Sequence, residues 1–322
     1  FRLDLKKALP GMLNLSKHYP DSELAFLMNA KFSGDKLDNL AGSILVEKGF
    51  YKNQNGDIDL EGLELRSITG SPVKYLSFTS DFFDVEINGN YYFQNIVNAL
   101  KKSLNNYIPA INYEILAEAK ENKFGYQLDV KNLDDLLTVF VPGYKIETPF
   151  LLYGVVDSEN SFFELKGSIP GMSSENLFIK NIFIGNSPGQ DSYASRLRFG
   201  EILFKNGMHL ENLTVDSKIS DNVINNQISW GDTLNMSYSG EILTKAVFSK
   251  MDSGLYPHID LQWEPTTIHI ADSIWNINPF TATIDSSSIE INHLKFFSGS
   301  QNIDINGKIG KDLSDILTLH LN

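Results

Sequence analysis

Cysteine is absent from the 322 residues, which excludes disulfide scaffolds, thiolate metal sites and cysteine nucleophiles. The absence says little about compartment, because many cytosolic proteins also lack cysteine. Positive charge is scarce too. The 27 Lys and Arg stand against 40 Asp and Glu, a formal charge of -13, so the electrostatic footprint of a phosphate-backbone partner is missing and nucleic acid is not expected. The same balance argues against anionic lipid headgroups but not against acyl chains. Long apolar runs are missing as well. The longest uncharged apolar stretches, Leu136 to Tyr144 and Thr148 to Val156, fall well short of the ~18 residues that a membrane-spanning helix needs.

What is present is period-two alternation, the spacing that sends successive side chains to opposite faces of a strand. Clear runs are Phe26, Met28, Ala30 and Phe32, then Ile259, Leu261 and Trp263, then Ile303 and Ile305. Four Asn-Gly pairs, at Asn55-Gly56, Asn88-Gly89, Asn206-Gly207 and Asn306-Gly307, supply the residues that tight hairpin turns favour. The third is the cleanest hairpin signal, set between Ile202-Leu203-Phe204 and Met208-His209-Leu210. Two segments break the alternation. Phe93, Ile96, Val97, Leu100, Leu104 and Tyr107 predict an amphipathic helix over about 93–107, stopped by Pro109 and lying with its apolar stripe on a sheet. Leu133, Leu136, Leu137 and Phe140 predict a shorter helix over about 132–141, ended by Pro142-Gly143. No linker composition marks an internal boundary, so residues 1–322 read as one repetitive β segment. The chain opens at Phe1 with no leader-like stretch and stops in strand-like alternation, which is expected of a fragment whose signal or anchor lies elsewhere.

Repetition is the main signal. An apolar-x-apolar-x-Gly pattern precedes eight of the 23 glycines, where 42% hydrophobic content gives about four by chance. A second pattern, apolar-x-apolar-x-x-apolar-x-apolar, occurs at Ile58, Leu60, Leu63, Leu65; at Leu177, Ile179, Ile182, Ile184; at Met208, Leu210, Leu213, Val215; and at Ile289, Ile291, Leu294, Phe296. Two consecutive polar residues in mid-strand imply a bulge or corner, after which the apolar set still faces inward. Repeated along a chain, such corners make a curved open sheet, although an ordinary antiparallel sandwich also contains bulges.

Catalytic patterns are sparse. The six histidines include no helical i, i+4 pair, and there is no phosphate loop, dinucleotide fingerprint or nucleophile elbow. Asp134-Asp135 sits where it favours a helix dipole. Trp230, Trp263 and Trp275 each lie two residues from an apolar partner, Ile228, Leu261 and Ile277, which suits packing better than a sugar platform. No enzyme, metal or cofactor is expected.

Phe32-Ser33-Gly34 with Leu37-Asp38-Asn39-Leu40-Ala41-Gly42, and Ser80 through Tyr91 leading into the first helix, resemble the TamB proteins of the Bacteroidetes. Ile268 through Ile277 and Gln301 through Ile309 are similar to recurring strand phrases of the same family. That resemblance implies an AsmA-like, bridge-like protein: a mainly β, elongated, curved antiparallel sheet forming an open trough, the β-taco, with one or two short amphipathic helices. It also implies a full-length protein anchored in the inner membrane and extending through the periplasm. Its partners would be phospholipid acyl chains and a TamA-type outer-membrane barrel, its role phospholipid transport and outer-membrane biogenesis. Neither an anchor helix nor a recognisable C-terminal docking segment is in the sequence. Candidate lining residues are Phe26, Met28, Phe32, Ile58, Leu60, Val85, Ile87, Phe163, Leu165, Met236, Tyr238, Ile303 and Ile305. Alternatives are an assembly chaperone that pairs strand edges with barrel proteins, a secreted β-sandwich or adhesin, and, more distantly, a carbohydrate-active enzyme.

Overall fold

In the computed structural model of the protein, residues 1–12, 18–70, 73–114, 120–231, 237–250, 257–271, 273–310 and 316–321 are described. Strand makes up 65% and helix 9%, which excludes a layered α/β fold. The strands pair antiparallel. The two α-helices among the described residues are α1 (Ile96–Tyr107) and α2 (Asp134–Phe140), close to their predicted spans. The chain forms two compact units, Phe1–Ile96 with Lys120–Glu159 and Glu164–Lys180, and Val97–Ala119 with Asn160–Phe163 and Asn181–Asn322.

The first unit carries β1 (Arg2–Ala8), β2 (Glu23–Ser33), β3 (Ala41–Asn53), β4 (Gly56–Asp59), β5 (Leu63–Ile68), β6 (Lys74–Thr79), β7 (Phe83–Asn90), β8 (Lys123–Val130), β9 (Lys145–Ile146) and β10 (Phe150–Asp157). It also includes the larger part of β11 (Phe162–Ser173) and the start of β12 (Leu177–Pro188). Its ladder runs β1, β2, β3, β5, β6, β7, β8, β10. Strand β4 folds back on the far end of β3, and α2 packs on β4 and β9. That docking is specific. Asn53 and Asn55 each donate a side-chain amide to the Val139 carbonyl, both at 3.0 Å, and the Phe140 ring stacks on Tyr51 at 5.2 Å.

The second unit carries β13 (Tyr193–Phe204), β14 (His209–Ser220), β15 (Val223–Gly231), β16 (Tyr238–Ser249), β17 (His258–Trp263), β18 (Thr266–Ile270), β19 (Ser273–Ile277), β20 (Phe280–Ile284), β21 (Ser288–Ser298), β22 (Gln301–Gly310) and β23 (Leu317–Leu321). Strands β17 and β18 both pair with β16. They are one long strand interrupted at Glu264-Pro265, since proline has no N–H to give a ladder. Strands β20 and β19 pair with β21 in the same way and are interrupted at Asn278-Pro279.

The corners implied by the repeated pattern exist. The second of the two polar positions holds a positive φ in every copy: Gly62 at 77°, Asn181 at 52°, Asn212 at 52° and His293 at 57°. The β21–β22 register shifts between Ile291 and Leu294, so apolar residues on both sides of His293 keep one face.

Two expectations are corrected. Asn206-Gly207 is a hairpin turn, with Gly207 at φ 86° and its N–H on the Phe204 carbonyl at 2.9 Å. Asn88-Gly89 and Asn306-Gly307, however, lie inside β7 and β22. There glycine admits a neighbouring backbone: a Cβ on Gly89 would fall 2.4 Å from the Lys123 carbonyl oxygen. Helix α1 buries Tyr107 of the predicted stripe, but with it Ala99 and Ser103, and leaves the stripe's Val97 64% and Leu104 43% exposed. Small residues permit a close approach, and polar anchors fix it: Ser103 donates to the Ser161 carbonyl at 2.8 Å, and Tyr107 to the Gly189 carbonyl at 2.9 Å. The boundary of the two compact units falls inside α1, β11 and β12, where no change of composition marks it.

Candidate functional site

In the first unit, registered pairing collects one apolar residue per strand. Ala30, Ile44, Leu65, Phe78, Val85, Leu128 and Leu152 stand opposite one another from β2 to β10. Opposed residues share a face, so this row crosses the sheet at right angles to its strands. A parallel row runs through Leu76, Ile87 and Tyr126. Ile44, Leu65, Phe78, Val85, Leu128 and Leu152 are all half-buried. The residues between them in sequence, among them Glu64, Arg66, Asp84, Glu86, Gln127 and Asp129, turn to the other face.

The strand ends on this apolar face are closed. At one end Tyr51 and Ile58 are opposed beneath α2, and Ile58 is only 2% exposed. At the other, Tyr91 is fully buried, its hydroxyl 3.4 Å from that of Ser67. Lys74 donates to the Asp38 and Tyr91 carbonyls, both at 2.9 Å, with its ammonium 4.0 Å from the Tyr92 ring centre. Burial lowers the Lys74 pKa, the nearby Asp38 opposing that shift.

The second unit repeats the arrangement. Leu197, Val215, Ile228 and Ile242 form one row across β13 to β16, and Ile277, Phe296, Ile303 and Leu321 another across β19 to β23. Trp230, Gly240, Ile268 and Trp275 make a third. Gly240 leaves room there, since a Cβ on it would fall 2.6 Å from the Trp230 ring. The 3₁₀ turn Pro109–Ile111 packs on β16 and is tied down by the Asn222 side chain, which accepts from the Ala110 N–H at 2.6 Å.

The proposed lining residues fall as follows. Phe26 is opposed by Leu5 and Gly49, and Met28 by Leu3 and Val46. Phe32 lies opposite Gly42, its ring against that of Phe1 at 5.7 Å. Leu60 follows Ile58 with its N–H on the Gly49 carbonyl. Val85 and Ile87 sit on the two rows of the first unit. Leu165 lies on β11 in the first unit and Phe163 on the same strand in the second. Tyr238, Ile303 and Ile305 share the apolar face of the second unit, while Met236 lies outside the described residues. Ile58 offers no surface to a ligand, because α2 covers it.

The opposite face of the second unit carries an open valley of about 1020 Å³ between two polar ridges, which include Arg196, Lys218, Asn225, Lys245 and Gln262. One pair of its charges is matched: Arg196 holds Asp216 through two hydrogen bonds, at 2.6 and 3.0 Å. Among the described residues no group of three His, Asp or Glu side chains could hold a metal, and no helix is long and apolar enough to cross a membrane. What the geometry offers is two apolar sheet faces and little polar chemistry on them. No known protein family, curated protein or solved structure matches this chain.

Proposed function

We propose that the chain is a non-enzymatic, lipid-holding segment whose apolar sheet faces carry phospholipid acyl chains, and that the full-length protein conducts phospholipid between the two membranes of a cell envelope. The observation that carries this reading is the row Ile44, Leu65, Phe78, Val85, Leu128, Leu152, which runs across six strands with every member half-buried. A sheet face sealed under a second layer would bury such a row. Each methylene removed from water contributes about 0.8 kcal/mol, so a 16-carbon chain left in solvent would cost roughly 13 kcal/mol. An apolar row relieves that cost without specific polar contacts. In this reading the chain works in the periplasm, with a TamA-type barrel engaged through other parts of the full-length protein.

The test is native mass spectrometry of protein purified gently from a host with ordinary phospholipids. Bound phospholipid at defined stoichiometry is expected; a bare chain that also fails to take lipid from vesicles would end the proposal. A second reading, pairing with barrel strands, is favoured by β23, which pairs with β22 alone among the described residues and exposes Leu319 (54%) and Leu321 (65%).

A further inference from the structure

On the apolar face of the second unit, one row is polar. Ser195, Ser217, Asn226 and Thr244 stand opposite one another from β13 to β16. The row ends in Trp263 and Phe280, whose rings stack at 5.0 Å. Apolar rows flank it, with Tyr193, Ile219, Ile224 and Ala246 on one side and Leu197, Val215, Ile228 and Ile242 on the other. A hydroxyl or amide on such a face costs free energy unless it is hydrogen-bonded, so the bonds in this row can be counted.

They run in one direction. Ser217 Oγ donates to Asn226 Oδ1 at 2.7 Å, and Asn226 Nδ2 donates to Thr244 Oγ1 at 3.1 Å. Ser217 and Asn226 each spend a donor on the next group, so the series ends on the Thr244 hydroxyl hydrogen, which has no acceptor among the described residues, on a residue only 8% exposed. One amide hydrogen of Asn226 is also uncommitted. Opposite Thr244, the buried Trp263 indole N–H has no partner among the described residues either. At the Thr244–Trp263 end the uncommitted hydrogens are donors, and none of the row's members is charged. The nearest cations in sequence, Arg196, Lys218 and Lys245, alternate to the other face and line the solvent valley.

We propose that this row receives the ester carbonyls of a diacyl lipid whose hydrocarbon chains lie on the flanking apolar rows. A phosphate or carboxylate would call for a cation on the same face. An ester oxygen is a neutral acceptor, and surplus neutral donors match it. Neighbouring strands are about 4.8 Å apart, so the polar group recurs at that interval along the row and a lipid can pass from strand to strand without leaving its donors. This inference rests on the reading of the apolar faces as lipid-holding surfaces.

The test is competition on the full chain between dioleoyl phosphatidylcholine and its di-O-alkyl analogue, which has the same hydrocarbon and headgroup but no ester carbonyl. Both are presented in vesicles, and bound lipid is read by native mass spectrometry. The native chain is expected to prefer the diester about tenfold, the factor that one net hydrogen bond supplies. Thr244→Val abolishes the preference while total capture persists, and Thr244→Ser, which keeps the hydroxyl, retains it. Equal capture of the two lipids by the native chain would overturn the ester assignment and leave the lipid-holding face standing. A diester preference that survives in Thr244→Val would also overturn it. Capture of neither lipid would overturn both.

Discussion

Asn181 lies against Gly200 so closely that a Cβ on the glycine would fall 2.9 Å from the Asn181 side chain. Asn181 is itself a corner residue with φ 52°, and across the next pair Gly200 stands between Phe199↔Leu213 and Glu201↔Glu211, level with the corner residue Asn212. One missing side chain therefore serves two adjacent bends. Gly200→Ala is expected to destabilise the protein by about 1–3 kcal/mol through overpacking, read as a lower urea midpoint at unchanged slope. Gly70, with nothing within 4 Å of its position, is the control, and Gly70→Ala is expected to be neutral or slightly stabilising.

His293 holds φ 57° in mid-strand, and its backbone N–H rests on Asn306 Oδ1 at 3.1 Å. A β-branched side chain is strained in that region, and glycine is not. His293→Val is expected to lower stability by about 1–2 kcal/mol, and His293→Gly to leave it level or higher. Thermal denaturation of the two variants checks the order; a Val variant as stable as the Gly variant would remove the corner from the account.

The corners were legible because Gly62, Asn181, Asn212 and His293 all stand at one offset within a repeated apolar pattern, and a parity flip in mid-strand has few structural solutions. Helix α1 was legible from spacing and Pro109, but its buried side was not. Ala99 and Ser103 carry little hydrophobic signal, and the Ser161 and Gly189 carbonyls that anchor the helix are more than 50 residues away in sequence. Among the lining residues, Tyr238, Ile303 and Ile305 share a face because period two carries through bulges. Ile58 has the same local signature, yet α2 returns from residue 134 to cover it, and alternation says nothing about what lies on top of a face. The polar row was not visible at all. Ser195, Ser217, Asn226 and Thr244 are ordinary residues that meet only through register.

Asp285 turns the chain between β20 and β21, accepting the Ser287 hydroxyl at 2.7 Å and the Ser287 and Ser288 N–H groups at 2.7 and 2.8 Å. The Ser287 side chain first, then these backbone donors, hold its pKa down to about 2. The unfolded carboxyl titrates near 3.9, roughly the model-peptide value. Between the two values the unfolded state binds more protons, so the turn's contribution is complete above about pH 4 and is lost as pH falls through about 2. Carboxyl-carbon NMR should place the Asp285 midpoint near 2, and Ser287→Ala should move it upward. A native midpoint near 4 would contradict the hydrogen-bonded turn.

Ile87 is opposed by Leu76 and Tyr126, half-buried on the apolar face of the first unit, and Ile305 holds the equivalent position in the second, opposed by Leu294 and Leu319. A carboxylate at either site would sit among hydrocarbon and exclude an acyl chain, because a buried unpaired charge is far costlier than the contact it replaces. Half-exposure lets the new side chain reach solvent in the empty protein, so folding should survive. Ile87→Glu and Ile305→Glu are each expected to cut photo-crosslinking of an acyl-labelled phospholipid at least tenfold, with the β-type circular dichroism spectrum retained. Asn225→Asp is the control. Asn225 lines the valley on the opposite face, opposite Lys218 and Lys245, so the same added charge there should leave crosslinking unchanged. Equal losses at all three positions would attribute the effect to net charge, and no loss at Ile87 and Ile305 would mean that the acyl chain does not lie on these rows.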